Sequence, residues 1–231
     1  MGKNLRQQRR GRGAPVYRYP SHRHLGNVGY TNMPSDKSGI IVDIIHAPGR
    51  YTPLAVIDFS GEKRLTIASE GAFVGQIINN DSSSGNMIKL RNVSEGSKIY
   101  NIELTPGDGG RLCRSSGAFA TLVSKESGKC SVLLPSKQKK VLLPDCLATV
   151  GTAASSGRVE KPFRKAGTRF YMMRARGKQY PHVSGVSMNA VDHPFGGQTR
   201  PGRSKNVSRH APPGQKVGSI SPRRTGRRKK G

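Results

Sequence analysis

The sequence predicts an all-β fold in which two small consecutive barrels are carried between irregular, basic extensions. Three observations predict it. The centre is a succession of short β-branched runs broken by Gly, Pro, Asn and Ser roughly every 8–12 residues, the spacing of a small barrel or sandwich. Nothing in the centre repeats its apolar residues at the 3.6 period of a long helix. The charge is also placed unevenly. Residues 1–35 hold 7 Lys+Arg and no acid, residues 36–157 hold 14 against 11 acids, and residues 158–231 hold 19 against 2. A nearly balanced centre can compact. The ends repel themselves and carry few large apolar side chains, so they are expected to order only where phosphates neutralise them.

Residues 1–35 read as the first extension. Arg6, Arg9, Arg10 and Arg12 come early, then Tyr17-Arg18-Tyr19 and His22-Arg23-His24. Basic residues interleaved with aromatics suit phosphate contact plus stacking, whereas a purely solvating tail seldom carries aromatics. Strand-like runs then cover 39–46, 53–59, 64–68, 75–79, 86–90 and 98–104. Five or six short strands in roughly 65 residues predict an OB-like barrel, placed over residues 36–92. Pro106-Gly107-Asp108-Gly109-Gly110 is a strong break. It reads as a turn between the modules rather than a phosphate loop, because no Gly-Lys-Ser/Thr follows. A second series, 118–123, 129–134, 140–143 and 148–150, predicts an SH3-like barrel over residues 93–157.

Residues 158–231 are the second extension. Arg164, Lys165, Arg169, Arg174, Arg176 and Lys178 fall in its first third, and a short helix fits residues 169–176. Arg200, Arg203, Lys205, Arg209, Lys216, Arg223, Arg224, Arg227 and Arg228 continue to the end. Pro212-Pro213-Gly214 forbids one long helix there, so extended contact with a polyanion is the expected form.

A net charge of +27 demands a polyanionic partner. No apolar run reaches membrane-spanning length, the first twelve residues lack a signal peptide's apolar core, and Gly and Pro break the basic segments where a membrane-surface helix would run on. No single helix carries the charge as a major-groove reader would, so arms reaching into folded RNA fit better than duplex DNA. Cys113, Cys130 and Cys146 include no C-x-x-C pair, so a compact zinc module is not expected, and small buried reduced thiols are. The histidines are scattered. No cofactor is expected, and Mg2+ would arrive only with bound RNA.

The segment from Gly185 to Gly197 has neither helical nor strand period. It carries Met188, Asn189, His193 and Phe195 between its breakers, and so reads as a rigid wedge shaped by a partner. Asp192-His193 is the one pair that looks catalytic, since an imidazole oriented by a carboxylate can act as a general base. Consecutive residues seldom place their side chains in such a dyad, and no Ser or Cys nucleophile in a strand–turn–helix setting accompanies them. Structural roles are expected instead: His193 donating to a phosphate or base, Asp192 bonding local backbone. An RNA-acting enzyme using Asp192 and His193, or a non-specific RNA chaperone, are the alternatives.

Val186-Ser187-Met188-Asn189-Ala190-Val191-Asp192-His193-Pro194-Phe195-Gly196-Gly197 closely resembles the signature loop of the universal large-subunit ribosomal protein L-two family. So do Pro106 to Gly110, Asp145 to Gly151, Lys161 to Gly167 and Ala211 to Gly218. Phe195 and Ala190 give the loop an archaeal look, and Gln198 departs from a longer glycine run. The resemblance implies an OB-fold barrel followed by an SH3-like barrel, with both extensions buried in large-subunit rRNA. It implies a structural constituent rather than an enzyme, supporting subunit association, tRNA binding and peptide-bond formation. Asn189, Asp192, His193, Pro194, Phe195, Gly196 and Gly197 would then be architectural, near a peptidyl transferase centre made of RNA. The implied partners are the rRNA, neighbouring ribosomal proteins, and the small subunit through an intersubunit bridge, with no membrane. The implied location is the cytoplasmic ribosome.

Overall fold

The computed structural model describes residues 2–30, 38–126, 128–197 and 205–224. The chain forms two compact units, one of Pro20–Thr168 and one of Met1–Tyr19 with Arg169–Gly231.

The first unit is all-β. β1 (Gly39–Ile45), β2 (Leu54–Phe59), β3 (Glu62–Ile67) and β4 (Ile77–Ile78) form an antiparallel sheet in the order β3-β2-β1-β4. Alternation puts Ile41, Ile57, Phe59 and Ile78 into its buried face. β1 lies so close to β2 that a Cβ on Gly39 would meet the Phe59 ring at 2.7 Å, so this strand end requires glycine. The β2–β3 hairpin turns at Ser60 and Gly61, where the Asp58 carboxylate accepts the Gly61 N–H at 2.7 Å.

The second sheet contains β5 (Met87–Lys89), β6 (Lys98–Tyr100), β7 (Ala120–Glu126), β8 (Lys129–Leu133), β9 (Lys139–Leu142) and β10 (Leu147–Val150), in the order β5-β10-β6-β7-β8-β9. Leu90, Ile99, Ile102, Leu122 and Val132 fill its core. The two sheets are those of the OB-fold and SH3-like barrels that the sequence predicts. The strand runs themselves are where the residue pattern places them. Their partners are not all so: β5, inside the 36–92 span of the first barrel, hydrogen-bonds to β10 beside β6 of the 93–157 span, pairing Ile88 with Ala148 as Tyr100 pairs with Thr149. A local run of β-branched residues specifies a strand but not the distant strand it pairs with.

The Pro106 to Gly110 break is not a turn between modules. Ile102 and Leu112 bridge antiparallel across it, so it closes a hairpin within the second barrel. Glu103, only 1% exposed, directs its carboxylate into this loop and accepts the N–H groups of Gly107 (3.2 Å), Gly109 (3.0 Å) and Leu147 (2.8 Å). Asp108 takes the N–H groups of Leu104 (3.0 Å) and Gly110 (3.1 Å). The Gly and Asp content therefore serves carboxylate-to-backbone closure. From residues 20–30, Val28 and Tyr30 are buried, and the Tyr30 hydroxyl lies 2.5 Å from that of Thr149. Cys130 and Cys146 are buried in the second core, Cys113 is half-buried, and burial pushes the Cys113 thiol up to about 11.

In the other unit the sequence predicts two separate irregular arms, but the structure brings the ends together. α1 (Arg6–Gly11) forms near the start, and α2 (Ala166–Ala175) matches the expected short helix but begins three residues earlier. β11 (Asn206–Val207) and β12 (Ser219–Ile220) pair in parallel. The Gln8 side chain accepts the Leu5 N–H at 2.8 Å, and the Tyr17 hydroxyl donates to Gln179 at 2.6 Å. Leu5 and Val217 are buried here. A few apolar anchors inside basic segments suffice to nucleate packing that composition alone does not suggest. Among the described residues no helix is long and apolar enough to cross a membrane.

The Glu103 loop yields a stability prediction. Glu103→Ala leaves three backbone donors without their acceptor and is expected to cost about 3 kcal/mol, read as a lower urea midpoint of the full chain. Glu103→Gln, which keeps one accepting oxygen, is expected to cost less.

Candidate nucleic-acid interface

The unit built from the two ends carries most of the excess charge. Residues 1–19 hold 6 Lys+Arg and no acid, and residues 169–231 hold 15 Lys+Arg against Asp192, a net of +20. With one carboxylate to share, these cations cannot neutralise each other. Phosphate is the ligand class that a field of this sign and density selects.

The Gly185 to Gly197 loop is built by backbone turns that few residues could make. A 3-10 turn covers Gly185–Ser187. The Asn189 carbonyl accepts the N–H groups of Asp192 (2.9 Å) and His193 (3.2 Å), the His193 carbonyl accepts that of Gly196 (2.8 Å), and Gly197 donates to Met188 (3.0 Å). The His193 ring lies against Gly185, where any Cβ would collide with it, and Gly196 passes equally close to the Asn189 carbonyl. Both glycines are thus dictated by close approach, and the loop has one compact shape.

Within it, Asp192 and His193 do not form a dyad. The Asp192 carboxylate pairs with the Lys3 ammonium at 2.8 Å rather than with local backbone as expected, and the Lys3 N–H donates to the Val191 carbonyl at 2.8 Å. His193 Nδ1 accepts the Phe195 N–H at 3.0 Å, which requires the ring hydrogen on Nε2. Burial, then the nearby Arg6 charge, lowers the imidazole below its ordinary value. His193 is therefore a neutral donor through Nε2, its ring 5.0 Å from that of Phe195. It lines two clefts, one of about 530 Å3 with Leu5, Arg6, Arg9 and Met188, the other of about 960 Å3 with Phe195, His210 and Gln215. The first of these sets His193 beside Arg6 and Arg9, so a base or phosphate entering it meets an imidazole among cations.

α2 is a second interface element. None of its residues is buried, and it exposes Phe170 and Tyr171 beside Arg169 and Arg174. Phe170 and Tyr171 pack edge to face at 5.6 Å, and Arg169 lies 5.4 Å from the Tyr180 ring. Met172, Met173 and Ala175 are half-buried, so the helix has one covered side, while Phe170 and Tyr171 stand exposed beside arginines, an arrangement suited to stacking next to phosphates.

The structure gathers most of the predicted residues into this unit. Arg9, Arg10, Arg12, Arg18, Lys178, Lys205, Arg209, Lys216, Arg223 and Arg224 are exposed there, and Arg6 and Arg176 are half-buried. Arg18 donates through Nε to the Gly13 carbonyl at 2.6 Å. Arg23, His24, Arg164 and Lys165 are exposed in the other unit. Arg200, Arg203, Arg227 and Arg228 lie outside the described residues. Sequence reasoning missed Lys3, whose role depends on the ends meeting. It also missed Arg158, which sits 3.8 Å from the Tyr51 ring and donates to Ser116 at 2.6 Å, fastening the end of the second barrel. No local signal marks either one.

The His193 geometry sets a pH dependence. Its folded pKa lies below the unfolded value of about 6.5, so its contribution to the loop is complete above that pH and is lost as pH falls through the folded pKa. The protection of the Phe195 and Gly197 amides, the intrinsic exchange rate divided by the observed one, is expected to fall on going from about pH 7 to about pH 5. In His193→Asn this extra pH dependence is expected to vanish.

Residues 83–216 match the family model described as Ribosomal Proteins L2, C-terminal domain. The chain is 49% identical over 241 residues to the large ribosomal subunit protein uL2 of Methanothermobacter thermautotrophicus, spanning 99% of this chain and 100% of that protein. It is 47% identical over 236 residues to the uL2 protein of Methanothrix thermoacetophila, covering 99% and 100%. It is 46% identical over 240 residues to that of Natronomonas pharaonis, covering 100% and 99%. Similarity at this level, running from end to end and including the loop that packs His193 on Gly185, means that the chain belongs to the L2 family of ribosomal proteins.

Proposed function

We propose that this protein is a structural constituent of the large ribosomal subunit that binds its rRNA directly. The observation that carries the reading is the unit of net +20 with Asp192 as its one acid, which presents a loop of fixed shape and a neutral imidazole donor. The basic residues neutralise phosphates. α2 supplies stacking surface. The Asn189 to Gly197 loop fits a pocket of folded RNA near the peptidyl transferase centre, where it supports tRNA binding, peptide-bond formation and subunit association through a bridge to the small subunit. Its place is the ribosome in the cytoplasm, any Mg2+ at the site comes with the rRNA, and the protein itself catalyses nothing.

The geometry speaks against the two other readings. The dyad that the enzymatic reading uses is not formed: Asp192 is held by Lys3, and His193 Nδ1 is occupied by the Phe195 N–H. A sequence-blind chaperone needs charge but not a loop whose glycines are fixed by close approach.

Footprinting of the full chain on large-subunit rRNA tests the proposal. Protection of one defined segment that persists against excess unrelated RNA is expected, and uniform protection would return the chaperone reading. In large subunits carrying His193→Ala, peptide-bond formation is expected to stay within a few-fold of normal. A drop of about 10²–10⁴, the scale of a lost general base, would restore the enzymatic reading.

A further inference from the structure

One face of the molecule has the opposite character to its basic ends. Residues 38–83 hold five acids against three Lys+Arg, a net of −2 within a chain of +27. On the outer surface of β1 and β4, Ile40 (49% exposed), Val42 (42%), Phe73 (62%), Val74 (57%) and Ile77 (57%) face solvent. They are neighbours in the sheet. Ile40 pairs in register with Ile77, the Ile41 N–H donates to Gln76, and the Gly75 N–H donates to Ile41, so the turn bearing Phe73 and Val74 lies alongside β1. Val42 follows Ile40 onto this side by alternation, and the bulge between Ile41 and Asp43 leaves Asp43 exposed beside it. Two carboxylates border this strip. Asp58 is the cross-strand partner of Ile40, and Asp43 follows Val42. Each accepts one backbone N–H through Oδ1, from Gly61 and Ile44 respectively, and among the described residues neither Oδ2 has a bonding partner.

We propose that this face docks a basic polypeptide segment of a neighbouring protein, one that sets apolar side chains between Lys and Arg. An apolar strip bordered by charge is the usual anatomy of a protein-binding patch. RNA is the wrong occupant, because the carboxylates repel phosphate, and four of the five apolar side chains are aliphatic and offer bases no ring to stack on. A second copy docked face to face would set Asp43 and Asp58 against their own equivalents. A Lys- and Arg-flanked segment answers both features, with its apolar side chains covering the strip and its cations meeting the two carboxylates. The inference rests on the ribosomal reading for where the partner is found, and extends it by giving the acidic side of the protein a protein neighbour.

The test puts benzoyl-phenylalanine in place of Phe73 in the full chain, irradiates living cells, separates large subunits from soluble protein, and identifies the adducts by mass. A cross-linked peptide with Lys or Arg within a few residues of the adduct is expected. In the double variant Phe73→Ser/Ile77→Ser, both positions being exposed, occupancy of that partner is expected to fall about tenfold while rRNA protection is unchanged. Asp43→Asn is expected to weaken it in the same direction. An adduct to RNA, to a second copy of this chain or to an acidic peptide would overturn the inference, as would no adduct at all. Absence of the chain from large subunits would instead overturn the ribosomal reading, and adducts in the soluble fraction would still decide this one.

Discussion

Electrostatic deficit organises this protein. Its two ends supply 21 cations and one carboxylate to a single unit, so that unit cannot be held by internal ion pairs. What holds it is backbone hydrogen bonding, a few buried apolar residues such as Leu5 and Val217, and the one bridge that Asp192 can make, to Lys3. Like-charge repulsion across the rest is left for a polyanion to relieve. In a unit of this charge, attraction to a polyanion and relief of self-repulsion are the same property seen from two sides.

The other unit spends its carboxylates differently. Glu103 and Asp108 accept backbone N–H groups within one loop, Asp145 meets Arg91, and Glu62 meets Arg64. Glu70 accepts the hydroxyls of Thr152 and Ser156, which lower its pKa. Acids that hold turns and strand ends inside a near-neutral barrel are unavailable to compensate the basic unit. Asp43 and Asp58 also cap local backbone, but they stand beside exposed aliphatic side chains. The chain thus presents two chemically distinct surfaces, one suited to phosphates and one to a polypeptide.

The loop from Gly185 to Gly197 shows how shape, rather than reactivity, is built from a motif that looks catalytic. Gly185 and Gly196 let the imidazole and the Asn189 carbonyl pack where side chains would collide. Nδ1 is committed to the Phe195 N–H, and burial with the Arg6 charge keeps the ring neutral. A neutral donor of fixed direction is useful to a partner that must be held in register, and it is a poor proton shuttle.

The sequence by itself determined the fold class, the strands of the two barrels and the sign of the charge that a ligand must carry. Period-two apolar runs, turn residues and net charge are local or additive properties, and each is visible without coordinates. It also marked the wedge loop, because glycines dense among anchoring side chains announce close approach. Tertiary structure alone decided which strands pair, placing β5 and β6 with β10. It decided that the Pro106 to Gly110 break closes a hairpin over Glu103, that Asp192 turns to Lys3 instead of its own backbone, and that the two ends share one unit. Each of these depends on residues far apart in the chain, and the free energy that selects a distant partner comes from burial and hydrogen-bond satisfaction, which no local window of residues contains.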